Sequence, residues 1–166
     1  MYTPQDFKID DPELIRLFIE ENSFGILVSS RDGSEVDDTH LPLVLSDDGN
    51  YLLGHIAKAN KHWRNWETNP CVKVIFHGPH SYVSPTYYAS EFNVPTWNYT
   101  AVSISGSIVF FRIRVQKTEA KFKLNQNKSL EDQEAVIKIL FESESTFDRG
   151  IARIMSGNLD EVGDQN

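Results

Sequence analysis

The chain of 166 residues has one cysteine, Cys71, so no internal disulfide framework is possible and a cytoplasmic setting is the simplest expectation. Long apolar runs are also lacking. None approaches the roughly 20 residues needed to cross a bilayer, so no membrane partner is expected. The opening MYTPQDFKIDDPELIRLF has neither the basic start nor the small-residue cleavage site of a signal peptide. Basic residues are scarce, with 16 Lys and Arg against 24 Asp and Glu and a formal net charge of -8. Broad non-specific binding to DNA or anionic membrane therefore lacks its electrostatic footprint, unless a basic patch forms locally or across a dimer. There is no strict glycine fingerprint for a nucleotide, no nucleophile elbow and no Ser/His/Asp arrangement. Internal repeats and low-complexity segments are absent as well.

What is present concentrates in residues 55–98. Four of the five histidines and all three tryptophans lie there, and His40 stands just upstream. Lys58, Lys61, Arg64 and Lys73 add positive charge to an otherwise acidic protein. His, Trp and Asn carry polar groups that need partners when buried, so such a cluster marks the first place to look for a site.

The length suits one domain, expected over 1–166. Asp11-Pro12 places a cap before a proline at the first helical position, and Leu14, Leu17 and Phe18 give an amphipathic helix ending near Glu21. Strands are expected at 24–30, 39–45, 51–55, 71–76, 81–84, 97–106 and 107–114, with Gly78-Pro79 breaking the fourth from the fifth. Arg31-Asp32-Gly33 and Asp47-Asp48-Gly49-Asn50 have turn chemistry. Residues 61–67 read as a short helix stopped by Asn69-Pro70, and 118–123 as either strand or helix start. Ser129-x-x-Asp132 resembles a capping box opening a helix over 130–141, followed by a helical turn at 147–155 and a frayed tail after Gly157. The fold class is mainly β with peripheral helices, an antiparallel barrel or sandwich.

Four groups of residues are candidates for chemistry. Lys58-Ala59-Asn60-Lys61-His62 follows a strand and precedes a helix start. Its charge and amide donors suit a phosphate of a nucleotide-like cofactor, and a solvated basic loop is the alternative. Trp63, Trp66, Tyr82, Tyr87, Tyr88, Trp97 and Tyr99 suit a planar ring system, or else a core or subunit interface. His40, His55, His77 and His80 lack a carboxylate at ligand spacing, so no metal is expected, although one histidine on haem iron is a conceivable use. Residues 121–128 alternate basic and amide side chains in what reads as a polar loop. Cys71 sits on a strand expected to be buried, without an activator.

Motifs along nearly the whole chain resemble the PaiB-type family of flavin-binding proteins and transcriptional regulators. They are Met1-Tyr2-x-Pro4-x-x-Phe7, Glu21-Asn22-Ser23-Phe24-Gly25, Thr39-His40-Leu41-Pro42-Leu43 and Gly54-His55-x-Ala57-x-Ala59-Asn60 in the first half. Gly78-Pro79-His80-x-Tyr82-Val83-Ser84-Pro85, Val94-Pro95-Thr96-Trp97-Asn98-Tyr99 and Lys123-Leu124-Asn125-Gln126-Asn127 follow in the family's order. The resemblance implies an FMN-binding split β-barrel of Greek-key type. It implies a homodimer with its site at the subunit interface and a role in negative transcriptional control, DNA being a partner by resemblance only. It also implies FMN phosphate at Asn60, Lys61 and His62, ahead of Asn69-Pro70, with Lys58 in the same segment. His40 would face that region from a neighbouring strand, and Trp97 and Asn98 would lie near the ring or the dimer partner.

Two departures accompany it. Ser103 stands where the family usually carries histidine. The family also usually inserts several tens of mostly helical residues between the strand ending at Gly106 and the one beginning near Val109, and here SISGSIVFFRIR joins them directly. The expected function is an FMN-binding protein of this type. A flavin-dependent oxidoreductase acting on a small molecule, a haem-binding split-barrel relative and a cofactor-free interaction module are the alternatives. No catalytic residue is identified.

Overall fold

Short runs of alternating apolar residues build seven strands: β1 (Lys8–Ile9), β2 (Phe24–Ser30), β3 (Val36–Leu45), β4 (Tyr51–Gly54), β5 (Cys71–Val83), β6 (Thr96–Val109) and β7 (Arg112–Lys123). Three helices accompany them: α1 (Pro12–Glu21), α2 (Leu130–Glu142) and α3 (Thr146–Gly163). The computed structural model describes residues 1–33, 35–109 and 112–163, with side chains as far as residue 159. The sheet order is β1-β7-β4-β3-β2-β5-β6, and β6 also pairs with β7. Six strands therefore form a ring of pairings, the closure that defines a barrel. The registers of β2 with β3 and β5, of β3 with β4, and of β4 with β7 are antiparallel.

The chain divides into two compact units. The first comprises Met1, Ile9–His77 and Ala101–Ala120, and the second Tyr2–Lys8, Gly78–Thr100 and the chain from Lys121 onward. In the first unit the period-two pattern sorts side chains onto two faces. Leu27, Leu41, Leu43, Leu52, Val72, Val74 and Ile113 are buried, whereas Phe24, Val44 and Leu53 point outward and are exposed. Gly106 permits the close approach of β6 to β7, since a Cβ there would collide with the Arg114 carbonyl oxygen and sit 2.9 Å from Ile113 Cγ2. Gly33 and Gly49 take positive φ values of 88° and 70°, as turn positions require. At the second turn Asp48 accepts from Ser46 Oγ and from the Asn50 backbone and side chain, and these bonds lower its pKa to about 2. Asp11 caps α1 by accepting from Glu13 N at 2.9 Å, but Phe18 and Ile19 form its buried face while Leu14 and Leu17 stay exposed.

In the second unit α2 packs on α3 around Val136, Leu140, Ile151, Ala152 and Met155. Ser129 Oγ accepts from Asp132 N at 3.2 Å, as the capping motif suggests. Asp132 in turn accepts from the Ser90 amide at 2.7 Å and its hydroxyl at 2.6 Å, which hold the carboxyl below its ordinary pKa.

Several expected boundaries differ. β5 runs unbroken through Gly78-Pro79. Its pairing with β2 ends at Ile75, so the missing proline N–H costs that ladder nothing. Residues 118–123 belong to β7, and β6 extends to Val109 rather than stopping at Gly106. α3 continues past Gly157 to Gly163; residues 164–166 lie outside the described residues. Cys71 is exposed rather than buried because it opens β5 just after Asn69-Pro70, and Asn69 Oδ1 accepts its N–H at 3.2 Å. Among the described residues no helix is long and apolar enough to cross a membrane.

Candidate cofactor site

The segment between β4 and β5 decides where the candidate residues point. After Gly54 the chain turns, and Asn60 N–H donates to Ala57 O at 2.9 Å. Asn60 then caps a 3₁₀ segment, Lys61–Glu67, with its Oδ1 accepting from His62 N at 3.0 Å. Its Nδ2 donates to Thr39 Oγ1 at 3.0 Å, which ties the cap to β3.

His62 fastens this segment from below. It is only 5% exposed, and both ring nitrogens are engaged: Nε2 with Ser29 Oγ at 2.6 Å and Nδ1 with Thr39 Oγ1 at 2.8 Å. Trp66 Nε1–H donates to the same Ser29 Oγ at 3.1 Å. Burial lowers the imidazole pKa, against an opposing pull from Asp37 and Asp38. A neutral ring with one donor and one acceptor nitrogen suits two hydroxyl partners. His62, placed at the phosphate by resemblance, therefore has neither ring nitrogen open to a ligand here; it pegs the turn to β2 and β3.

The candidate lysines part company at this turn. Lys61 is exposed and lines a polar cleft of about 500 Å³ with Asn60, Arg31, Arg64 and the carboxylates Asp32, Glu35, Asp37 and Asp38. Two of those carboxylates have protein partners: Asp37 accepts from Asn65 Nδ2 at 2.7 Å, and Asp38 lies 3.5 Å from His40 Nδ1. Lys61, Arg31 and Arg64 are the cations of the cleft, set among these four carboxylates. Lys58 instead lines an apolar cavity of about 710 Å³ inside the strands, walled by Leu27, Leu41, Leu43, Leu52, Trp63 and Trp66.

His40 stands on the outward face of β3, opposite Ile26 and 6.2 Å from the Phe24 ring. Trp97 and Asn98 belong to the second unit. The Trp97 ring is half exposed, 5.4 Å from His80 and 6.2 Å from Tyr82. Asn98 is fully buried, its Nδ2 directed at Met155 Sδ at 3.3 Å, so it is a polar group of the core and not a wall residue. Its aromatic neighbours in sequence gave no sign of that burial. Ser103 is buried and accepts from Lys73 Nζ at 3.2 Å, giving that lysine an inward partner where the family usually carries histidine. Among the described residues no group of three or more His, Cys, Asp or Glu side chains could hold a metal ion.

Sequence reasoning missed Ser29, Thr39 and Arg31. Ser29 was legible in principle: it occupies an inward position in FGILVSS, and an inward hydroxyl demands a partner.

Comparison with known proteins bears on the fold and the family. The chain is 33% identical to the Protease synthase and sporulation protein PAI 2 of Bacillus subtilis over 205 aligned positions, covering 96% of this chain and 98% of the relative. It is 28% identical to an uncharacterized protein of Saccharomyces cerevisiae, covering 81% of this chain and 90% of that one. A "putative 5-nitroimidazole antibiotic resistance protein" from Bacteroides thetaiotaomicron superposes with a TM-score of 0.55 at 10% identity, over 69% of this chain and 85% of the other. A FAD and heme binding protein from Mycobacterium smegmatis gives 0.55 at 10%, over 77% and 78%. At such identity these two structures speak to the fold alone, a split barrel. The profile of the family described as "Putative FMN-binding domain" matches residues 1–156, and with the Bacillus relative alongside it the chain belongs to that family and is of the PaiB type.

Proposed function

We propose that the protein binds FMN as a homodimer, with the phosphate in the cleft at the 60–64 turn and the ring on the outward face of the sheet beneath a second copy. Lys61, Arg31 and Arg64 meet the phosphate, Asn60 shapes the turn, and His40 borders the ring. Trp97 is free to approach the ring from the partner subunit. The observation that carries this reading is the outward face itself. Phe24 and Val44 are 66% and 60% exposed, and the register sets Phe24 against Pro42 and Val44 against Leu53. An apolar sheet face of this kind is suited to an interface. A second copy laid on this face closes over a planar ring there. Bound flavin brings redox chemistry; the protein contributes position and electrostatics.

The role in transcriptional control that kinship suggests would act through this dimer, and salt-dependent retardation of a DNA fragment tests it. The single exposed cysteine fits a reducing cytoplasm. The experiment for the main reading is purification with light scattering and a visible spectrum. A mass twice 19.0 kDa with flavin absorbance near roughly 450 nm is expected. A colourless monomer that takes up no added FMN refutes it.

A further inference from the structure

The barrel cavity shares no lining residue with the polar cleft. At about 710 Å³ it lies within the ~300–1,000 Å³ of small-molecule pockets. Leu27, Leu43 and Leu52, no more than 2% exposed, close its floor, and the half-buried Ile56, Trp63, Trp66 and Ile108 offer apolar surface above it. Apolar surface of this kind favours an apolar guest. The rim is different in character. Lys58 and Arg112 face Glu67 there, a net positive mouth on a protein of formal charge -8. The Arg112 guanidinium already rests over the Tyr51 ring, 4.1 Å from its centroid, whereas Lys58 is exposed at the lining.

Strands β6 and β7 both border the cavity, through Ile108 on the first and Arg112 and Ile113 on the second. The alignment with the Bacillus relative runs to 205 positions, more than the 166 residues of this chain, so that relative carries residues with no counterpart here.

We propose that this cavity is a second binding site, separate from the flavin site, for an apolar molecule with an anionic head, such as a medium-chain carboxylate. The chain lies over the leucine floor against Ile56, Trp63, Trp66 and Ile108, and Lys58 takes the head group.

The test is titration of laurate into flavin-free full-length protein, read by calorimetry and tryptophan fluorescence, with dodecanol and dodecylamine as controls. One laurate per chain is expected, about tenfold tighter than dodecanol, with dodecylamine weakest. Leu43→Phe, which fills the cavity, abolishes binding. Lys58→Glu, an exposed substitution that keeps the test open should the core variant fail to fold, weakens it at least tenfold. Saturating FMN leaves laurate affinity unchanged. Absence of laurate binding, binding indifferent to Lys58→Glu, or displacement by FMN each overturns the proposal. Because laurate is titrated without flavin, failure of FMN binding leaves this result standing on its own.

Discussion

Lys61→Ala and His62→Ala, one residue apart, should fail in opposite ways. Lys61 is exposed and has a cleft as its only stage, so its loss costs no packing. Surface substitutions of this sort change stability by less than about 0.5 kcal/mol. One charge-assisted hydrogen bond to phosphate is worth about 1.5–3 kcal/mol, so FMN affinity should fall about 10- to 100-fold. His62 is buried and makes two side-chain hydrogen bonds, to Ser29 and Thr39. Each contributes about 0.5–1.5 kcal/mol. The hydroxyls left behind keep donors in Trp66 and Asn60, which limits the penalty. Adding the cavity left by the ring brings the loss to about 2–3 kcal/mol. For a chain of this length that is roughly 5–10 °C in Tm. Differential scanning fluorimetry and flavin-fluorescence quenching on the two variants settle the matter. If His62→Ala melts with the wild type yet loses FMN, while Lys61→Ala keeps its FMN, the peg and the ligand have been assigned the wrong way round.

Further outcomes follow from the same geometry. The neutral His62 is favoured by burial, so its folded pKa lies below the unfolded value of about 6.5. The unfolded chain then binds the extra proton, and this residue's contribution is full above that value and lost as pH falls through the folded pKa. An NMR titration of the imidazole should give a midpoint under 6.5, and one at or above it contradicts the network. Gly106→Ala puts a Cβ against the Arg114 carbonyl and should cost at least about 1–3 kcal/mol by chemical denaturation; a neutral result would mean β6 and β7 are not so close. Val44→Glu places a charge on the outward face and should leave a folded monomer in light scattering, whereas an unchanged mass removes that face from the interface. Ser129→Ala should cost about 1 kcal/mol through the lost cap on α2, and an unchanged denaturation midpoint would deny the cap a role.

Much of the architecture was written locally. The Asp11 and Ser129 caps, the two glycine turns and the alternation in FGILVSS are short-range signals, and each element forms where they point. Errors arose where distant chain decides. Gly78-Pro79 looked like a break because proline cannot donate, but whether a ladder bond is lost there depends on how far β2 extends alongside. The candidate site suffered in the same way. Lys58 and Lys61 are three residues apart and read as one basic cradle, yet the turn held by Asn60 sends one to the apolar cavity and the other to the polar cleft. His62 read as a ligand because its two hydroxyl partners, 33 and 23 residues away, cannot be seen from its neighbours. Pairings over such distances are tertiary facts, and a single sequence shows only that a buried imidazole would need them.

The central claim is that this chain holds a phosphorylated flavin by its phosphate at the Lys61 cleft. The most direct measurement is parallel titration of FMN and riboflavin into the flavin-free protein, repeated on Lys61→Ala. Wild-type protein should prefer FMN by about 10- to 100-fold, and Lys61→Ala should lose most of that preference while keeping its affinity for riboflavin. Equal affinity for the two flavins in the wild type, or a preference that survives the loss of Lys61, would contradict the account.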